Sequence, residues 1–219
     1  MDYVVNLLKK LPFYRRYTTK QNTDYWSRRD LGWEEYFKTA NHPHRHFITN
    51  VLRQLNWISL FEIGCGSGPN IANIAANLKG KQLGGIDINP KAIELCNNNF
   101  KGGHFRVGDA CDMIMSDKSS DVVLSDMFLI YVGPFKINKY IKEIRRVARN
   151  YVVLCEYHHK SWWRRQWLRI FSGRHAYNWK KRLENHGFYD IVTIKMPQFE
   201  EDNEQSYRHI VIAKVPKLC

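Results

Sequence analysis

Between residues 59 and 157, strand-like runs alternate with helix-like runs, and this order restricts the fold more than any other feature of the chain. "SLFEI" (59–63), "QLGGIDI" (82–88), "HFRVGDA" (104–110), the apolar part of "SDVVLSDMFL" (120–129) and "YVVLCEY" (151–157) read as strands. "PNIANIAANL" (69–78), "PKAIELCNNNF" (90–100) and "INKYIKEIRRVAR" (137–149) place apolar residues at helical spacing. Pro69 suits a first helical turn, and Asn89 suits a cap ahead of Pro90. Alternation of this kind predicts parallel strands covered by helices on both faces. The run Val122-Val123-Leu124 fits a strand buried on both sides. A helix over 177–187, stopped by Gly187, precedes two last strands (189–196 and 207–215) joined by the acidic loop EEDNEQ. With no helix between them, those two predict an antiparallel pair at the sheet edge.

The first strand runs into "FEIGCGSGPN" (61–70), which carries glycine at alternate positions. A strand, a glycine turn and a helix start form a crevice at the carboxyl end of a parallel sheet, where ligands bind. Glycine there permits positive φ and close backbone approach. A dinucleotide fingerprint would place a small residue at its sixth position, where this chain has Pro69. That counts against an NAD-dependent oxidoreductase. The spacing is instead E-x-G-x-G-x-G, through Glu62, Gly64, Gly66 and Gly68.

Taken together, these segments resemble the class I S-adenosylmethionine-dependent methyltransferases over roughly residues 59–215. The resemblance implies a three-layer Rossmann-like α/β fold, its seven-stranded sheet mostly parallel with an antiparallel last strand. It implies S-adenosyl-L-methionine as cofactor. "FEIGCGSG" would lie along the methionine part, through Glu62, Gly64, Cys65, Gly66 and Gly68. Asp87, followed by Ile88, would take the ribose hydroxyls. Asp109 would accept from the adenine amino group, with Ala110 and Cys111 against the ring. Asp126 and Met127 would stand near the amino-acid end and the methyl group. The segment before the first motif often closes as a lid in this family, and Tyr25, Trp26 and Arg45 are the residues expected there.

Methyl transfer from a sulfonium needs an aligned acceptor and excluded water, and a base only for a protonated acceptor. Tyr131, His158 and His159 are the base candidates, beside Glu156; all follow or end the fourth and fifth strands. No metal is implied. His42, His44 and His46 alternate, but Pro43 favours the start of a helix. The N/D-P-P-Y/F motif for amide or nucleobase amines is absent, its place reading "SDMFLI".

Charge locates the partner surfaces. Residues 1–58 hold ten Lys/Arg against five Asp/Glu, and residues 158–182 hold eight against none, which accounts for the whole net charge of +13. The same two stretches hold 17 of the 30 aromatic residues. The expected organisation is a helical lid extension (1–58) before the main domain (59–219), with a basic, Trp-rich insertion at 158–175. Such surfaces suit a small or mid-sized acidic or phosphorylated acceptor, such as a sugar or lipid-linked metabolite. RNA as substrate, and peripheral contact of the insertion with an anionic membrane, stay open. So does a cofactor-binding module without turnover. Five scattered cysteines without a CxxC pair, and no run of membrane-spanning length or signal-like start, lead to the expectation of a cytoplasmic protein.

Overall fold

A computed structural model describes residues 23–199 and 207–216. The N-terminal apolar segment and the acidic EEDNEQ loop lie outside the described residues. Three helices come first: α1 (Thr23–Arg28), α2 (Trp33–Lys38) and α3 (Pro43–Arg53). The alternating part follows as β1 (Ser59–Ile63), α4 (Pro69–Asn77), β2 (Gln82–Asp87), α5 (Pro90–Asn99), β3 (His104–Val107), β4 (Ser120–Asp126), α6 (Ile137–Val147) and β5 (Ala148–Tyr157). The chain closes with α7 (Trp162–Ser172), α8 (Trp179–Glu184), β6 (Tyr189–Lys195) and β7 (Arg208–Lys214).

One seven-stranded sheet has the order β3-β2-β1-β4-β5-β7-β6. Strands β1 to β5 pair in parallel, and β7 is antiparallel to both of its neighbours. The last strand therefore inserts between β5 and β6 rather than forming the edge. Sequence order could not reveal this, because either arrangement leaves β6 and β7 as an antiparallel pair.

Each face of the sheet has its own core. Ile137, Tyr140, Ile141, Ile144 and Val147 line the buried face of α6, with Trp179 and Leu183 of α8 beside them. This is the 3–4 residue spacing expected of a helix packed along one stripe. On the opposite face, Ile48 and Leu52 of α3 join Ile71 and Ile74 of α4 and Ile93 of α5. Helix α3 is thus built into the core of the sheet domain. Asn89 caps α5 as expected, accepting from the amides of Lys91 and Ala92. His42 caps α3, its ring nitrogen accepting from the amide of His44.

Two boundaries differ usefully from the sequence pattern. Strand β3 stops at Val107, because Asp109 accepts from the Cys111 amide and turns the chain away. Helix α6 passes directly into β5, three residues earlier than its apolar run, and Ala148 pairs with Ser120.

Candidate active site

A cavity of about 400 Å³ opens at the carboxyl ends of β1, β2 and β4, where the strand order reverses direction. This is where a doubly wound sheet leaves a crevice. Gly64 and Gly66 form part of its floor, and Asp87, Asp109 and Asp126 each contribute from the end of a different strand or its following loop.

The glycines are required by what lies on them. Gly64 has φ +67°, and a Cβ there would fall 2.5 Å from the Phe128 ring. Gly66 has φ +54°, and its missing side chain leaves room for the rings of Trp33 and Tyr36. Gly68, the third of the series, lies behind the cavity, where it begins α4 against Phe100 and Cys96. Cys65 is buried against Gly85, and burial raises its thiol pKa.

Asp126 is the most heavily supported group. Its Oδ2 accepts from Asn70 at 3.0 Å, contacts His44 Nε2 at 3.1 Å and lies 3.5 Å from Arg45 Nη1. Burial alone would raise its pKa, but His44, Arg45 and Asn70 outweigh it and hold the carboxyl well below the usual range. Its Oδ1 is buried and has no hydrogen-bond partner. A buried carboxylate oxygen without a donor is costly, and the ionised state is held by the three partners of Oδ2. The next residue, Met127, holds φ +54°, a strained conformation for a side chain of that size.

Glu62 sits behind Asp126, fully buried. Its Oε1 accepts from Asn70 at 2.7 Å, and burial pushes its pKa up to about 8. Asp87 accepts from the amides of Gly66 and Asn89, both at 2.9 Å, so it also fixes the glycine turn. Asp109 Oδ1 accepts from the Tyr140 hydroxyl at 2.7 Å. Each of these aspartates keeps acceptor capacity beyond the bonds described, since a carboxylate can take about four.

Helices α1 and α2 cover the cavity. Trp26, Leu31, Trp33 and Tyr36 line it from above. Two hydrogen-bonded latches tie this cover down. Asn89 donates to the carbonyls of Trp26 and Arg29, and Ser67 donates to the carbonyl of Trp33.

The expected residues divide as follows. Gly64, Gly66, Asp87, Ile88, Asp109, Ala110, Asp126, Met127, Trp26 and Tyr131 all line the cavity. Glu62, Cys65, Gly68, Tyr25 and Arg45 lie outside its lining. Arg45 instead braces Asp126 from behind, donating to Asn70 at 2.8 Å and to Thr39. Tyr25 receives a bond from Arg29.

The two histidines expected as bases stand apart from the cavity. Neither lines the cavity. His158 is buried and accepts from the Trp179 amide at 3.2 Å; burial, with His209 nearby, pushes its pKa down to about 4. His159 accepts from the Ser161 amide at 2.9 Å, ahead of α7. Both serve the backbone. Glu156, weighed beside them, receives the Ser125 hydroxyl and the amides of Phe128, Leu129 and Ile130, and so anchors the turn that carries Phe128 and Tyr131.

Sequence reasoning missed Trp33, Tyr36, Phe128, Asn70 and His44. The i, i+3 spacing of Trp33 and Tyr36 was the one local signal available. His44 has both ring nitrogens engaged, by Asp126 and by His42 at 2.8 Å, which leaves none for an acceptor's proton.

Comparison with known proteins finds similarity over the part of the chain that carries these features. Residues 61–155 match the family model described as a methyltransferase domain. The chain is 28% identical over 123 residues to the ribosomal protein L11 methyltransferase of Dictyoglomus turgidum, covering 53% of this chain and 40% of that one. It is 30% identical over 92 residues to the fatty-acid O-methyltransferase of Mycolicibacterium smegmatis, covering 41% and 33%. The chain thus spans well under half the length of these curated relatives. The crystal structure of a putative O-methyltransferase from Nostoc punctiforme superposes with a TM-score of 0.65 at 14% identity, over 83% of this chain and 59% of that one.

Proposed function

We propose that this chain is a class I S-adenosylmethionine-dependent methyltransferase, its residues 61–155 matching the methyltransferase domain model, and that it moves the methyl group of S-adenosylmethionine to an amphiphilic acceptor of small or middle size. The observation that carries the cofactor half of this reading is Asp126. Asp126 lines the cavity beside Gly64 and Gly66, and a carboxylate held ionised in that position suits an ammonium group. The cofactor's amino-acid end supplies one. Asp87, on the neighbouring strand, would take the ribose diol, and Asp109 the adenine amino group, with Ile88 and Ala110 beside the ring. These three carboxylate acceptors fit the donors of the cofactor's three polar regions in order.

When bound, the cofactor supplies an electrophilic sulfonium methyl group. This chain's residues bind and orient. Trp26, Trp33 and Tyr36 exclude water from above, and Asp87 and Glu156 hold the two turns that shape the floor. Among the described residues Tyr131 is the one expected base in the lining, and an acceptor that must lose a proton would need Tyr131 as its phenolate.

The acceptor end favours an apolar body. Val132, Pro134 and Phe135 line the cavity beyond Tyr131, and Lys136 is the one cation in the lining among the described residues. An acidic head meeting Lys136, with an apolar body beside it, fits these residues. The fatty-acid O-methyltransferase among the relatives supports this reading.

Calorimetric titration with S-adenosylmethionine, S-adenosylhomocysteine and NAD tests the cofactor. Micromolar binding of the first two, lost at least tenfold in Asp126→Asn, is expected. Equal binding by that variant removes Asp126 from the site, and binding of NAD alone defeats the methyltransferase reading. Radiolabelled methyl transfer to lipid extract, polar metabolites and RNA then identifies the acceptor class, and label in the lipid fraction is expected.

A further inference from the structure

Helix α7 carries an apolar face that the fold leaves uncovered. Trp162, Trp163, Trp167, Ile170 and Phe171 are each between 53% and 70% exposed. At 100° per residue, Trp163, Trp167, Ile170 and Phe171 fall within one sector about 100° wide. Leu168, on another side of the helix, is buried against Ile130 and Tyr157. The helix is therefore held by one side and presents another to the outside.

From Tyr157 to Leu183 the chain has eight Lys/Arg and no Asp/Glu. Of these, Lys160, Arg164, Lys180 and Lys181 are exposed, and Arg164 borders the aromatic sector, so this side of the molecule complements an anionic, partly apolar surface. The location adds to this. The cluster around Leu168 also contacts Met127 and Tyr131, so α7 packs behind the wall of the cavity. Phe135, in the cavity lining, is 97% exposed.

We propose that α7 seats this protein on an anionic lipid bilayer, its aromatic face entering the interface and Arg164, at the edge of that face, meeting the headgroups together with the exposed lysines nearby. The ring geometry favours a bilayer over nucleic acid. Trp167 and Phe171 stack on each other with centroids 4.5 Å apart, and Trp162 packs edge-on to Trp163 at 4.6 Å. The rings thus form a joined apolar surface. Base stacking needs open ring faces, and here one face of each stacked ring is already covered. Bilayer seating concerns a surface outside the cavity and is independent of cofactor binding and of acceptor identity.

The test is sedimentation of the full chain with vesicles of phosphatidylcholine and phosphatidylglycerol at 3:1, and with phosphatidylcholine alone, without cofactor. Binding to the anionic vesicles is expected to exceed binding to neutral ones at least tenfold. It should weaken in 0.5 M salt and be accompanied by a blue shift of tryptophan emission. The triple variant Trp163→Ser/Trp167→Ser/Phe171→Ser is expected to lose at least tenfold in vesicle binding. Its melting temperature and S-adenosylhomocysteine affinity should not change, which shows that it still folds. A second variant, Arg164→Glu, should weaken binding to anionic vesicles only. Absence of vesicle binding by the parent protein, or equal binding by the triple variant, overturns the proposal. So does tight binding of an RNA oligonucleotide, lost in the triple variant, without vesicle binding.

Discussion

Asn70 donates its side-chain amide to Asp126 at 3.0 Å and to Glu62 at 2.7 Å, while its own carbonyl accepts from Arg45 at 2.8 Å. One neutral amide thereby separates two buried carboxyl groups and links them to a buried guanidinium. Replacing it by an isosteric acid removes both donors and adds a third carboxyl. Asn70→Asp should cost about 3 kcal/mol of stability, as breaking a buried charge network does. It should also weaken cofactor binding at least tenfold. Thermal melts and calorimetry check the two effects, and an unchanged affinity would remove Asn70 from the support of Asp126.

The latch at Asn89 can be opened without losing its helix cap. Asn89→Asp keeps the oxygen that accepts from Lys91 and Ala92, and Asp caps as well as Asn. It removes the donors to the Trp26 and Arg29 carbonyls and turns a carboxylate toward them. The expected outcome is a lowered melting temperature, faster tryptic cleavage at Arg28 or Arg29, and cofactor binding weakened by up to about thirtyfold, since two lost bonds of about 1 kcal/mol each sum to about 2 kcal/mol. Unaltered cleavage would show that the cover is held by its aromatic contacts.

Glu62 gives the fold a pH dependence of definite sign. Its ordinary value near 4.5 is raised by burial to about 8. Below the lower value, folded and unfolded chains both hold the proton. Between the two values only the folded chain does. The Glu62 contribution is thus fully present at low pH and is lost as pH rises toward 8, by up to about 1.4 kcal/mol per pH unit. Glu62→Gln has no such proton to lose. Chemical denaturation from pH 5 to 9 should give a steeper decline for the parent protein than for the variant, and parallel curves would contradict the assignment.

Two glycines separate backbone cost from steric cost. Gly102 has φ +83° with nothing within 4 Å of a built Cβ, whereas Gly64 has φ +67° and meets Phe128 at 2.5 Å. Gly102→Ala should cost about 1–2 kcal/mol, from the left-handed backbone alone. Gly64→Ala should cost more, displace Phe128 from the cavity floor and reduce cofactor binding. Each kcal/mol corresponds to a fall of about 2–4 °C in a domain of this size, so melting curves resolve the difference.

The sequence by itself determined the order of strands and helices, the parallel body of the sheet, and the glycine turn with an aspartate near the ends of β2, β3 and β4. These are local properties. Apolar period, caps such as Asn89 and turn residues such as Gly187 act over a few neighbouring positions, so one chain displays them directly. Only the tertiary structure decided the rest. It inserted β7 between β5 and β6, set Phe128 on Gly64, and gathered His44, Arg45 and Asn70 around an aspartate 56 to 82 positions away in the chain. It also turned His158 and His159 toward backbone amides, although their place after β5 suggested the cavity. Which partner a polar side chain reaches depends on helix packing across the sheet, and buried polar groups take the donors that packing supplies.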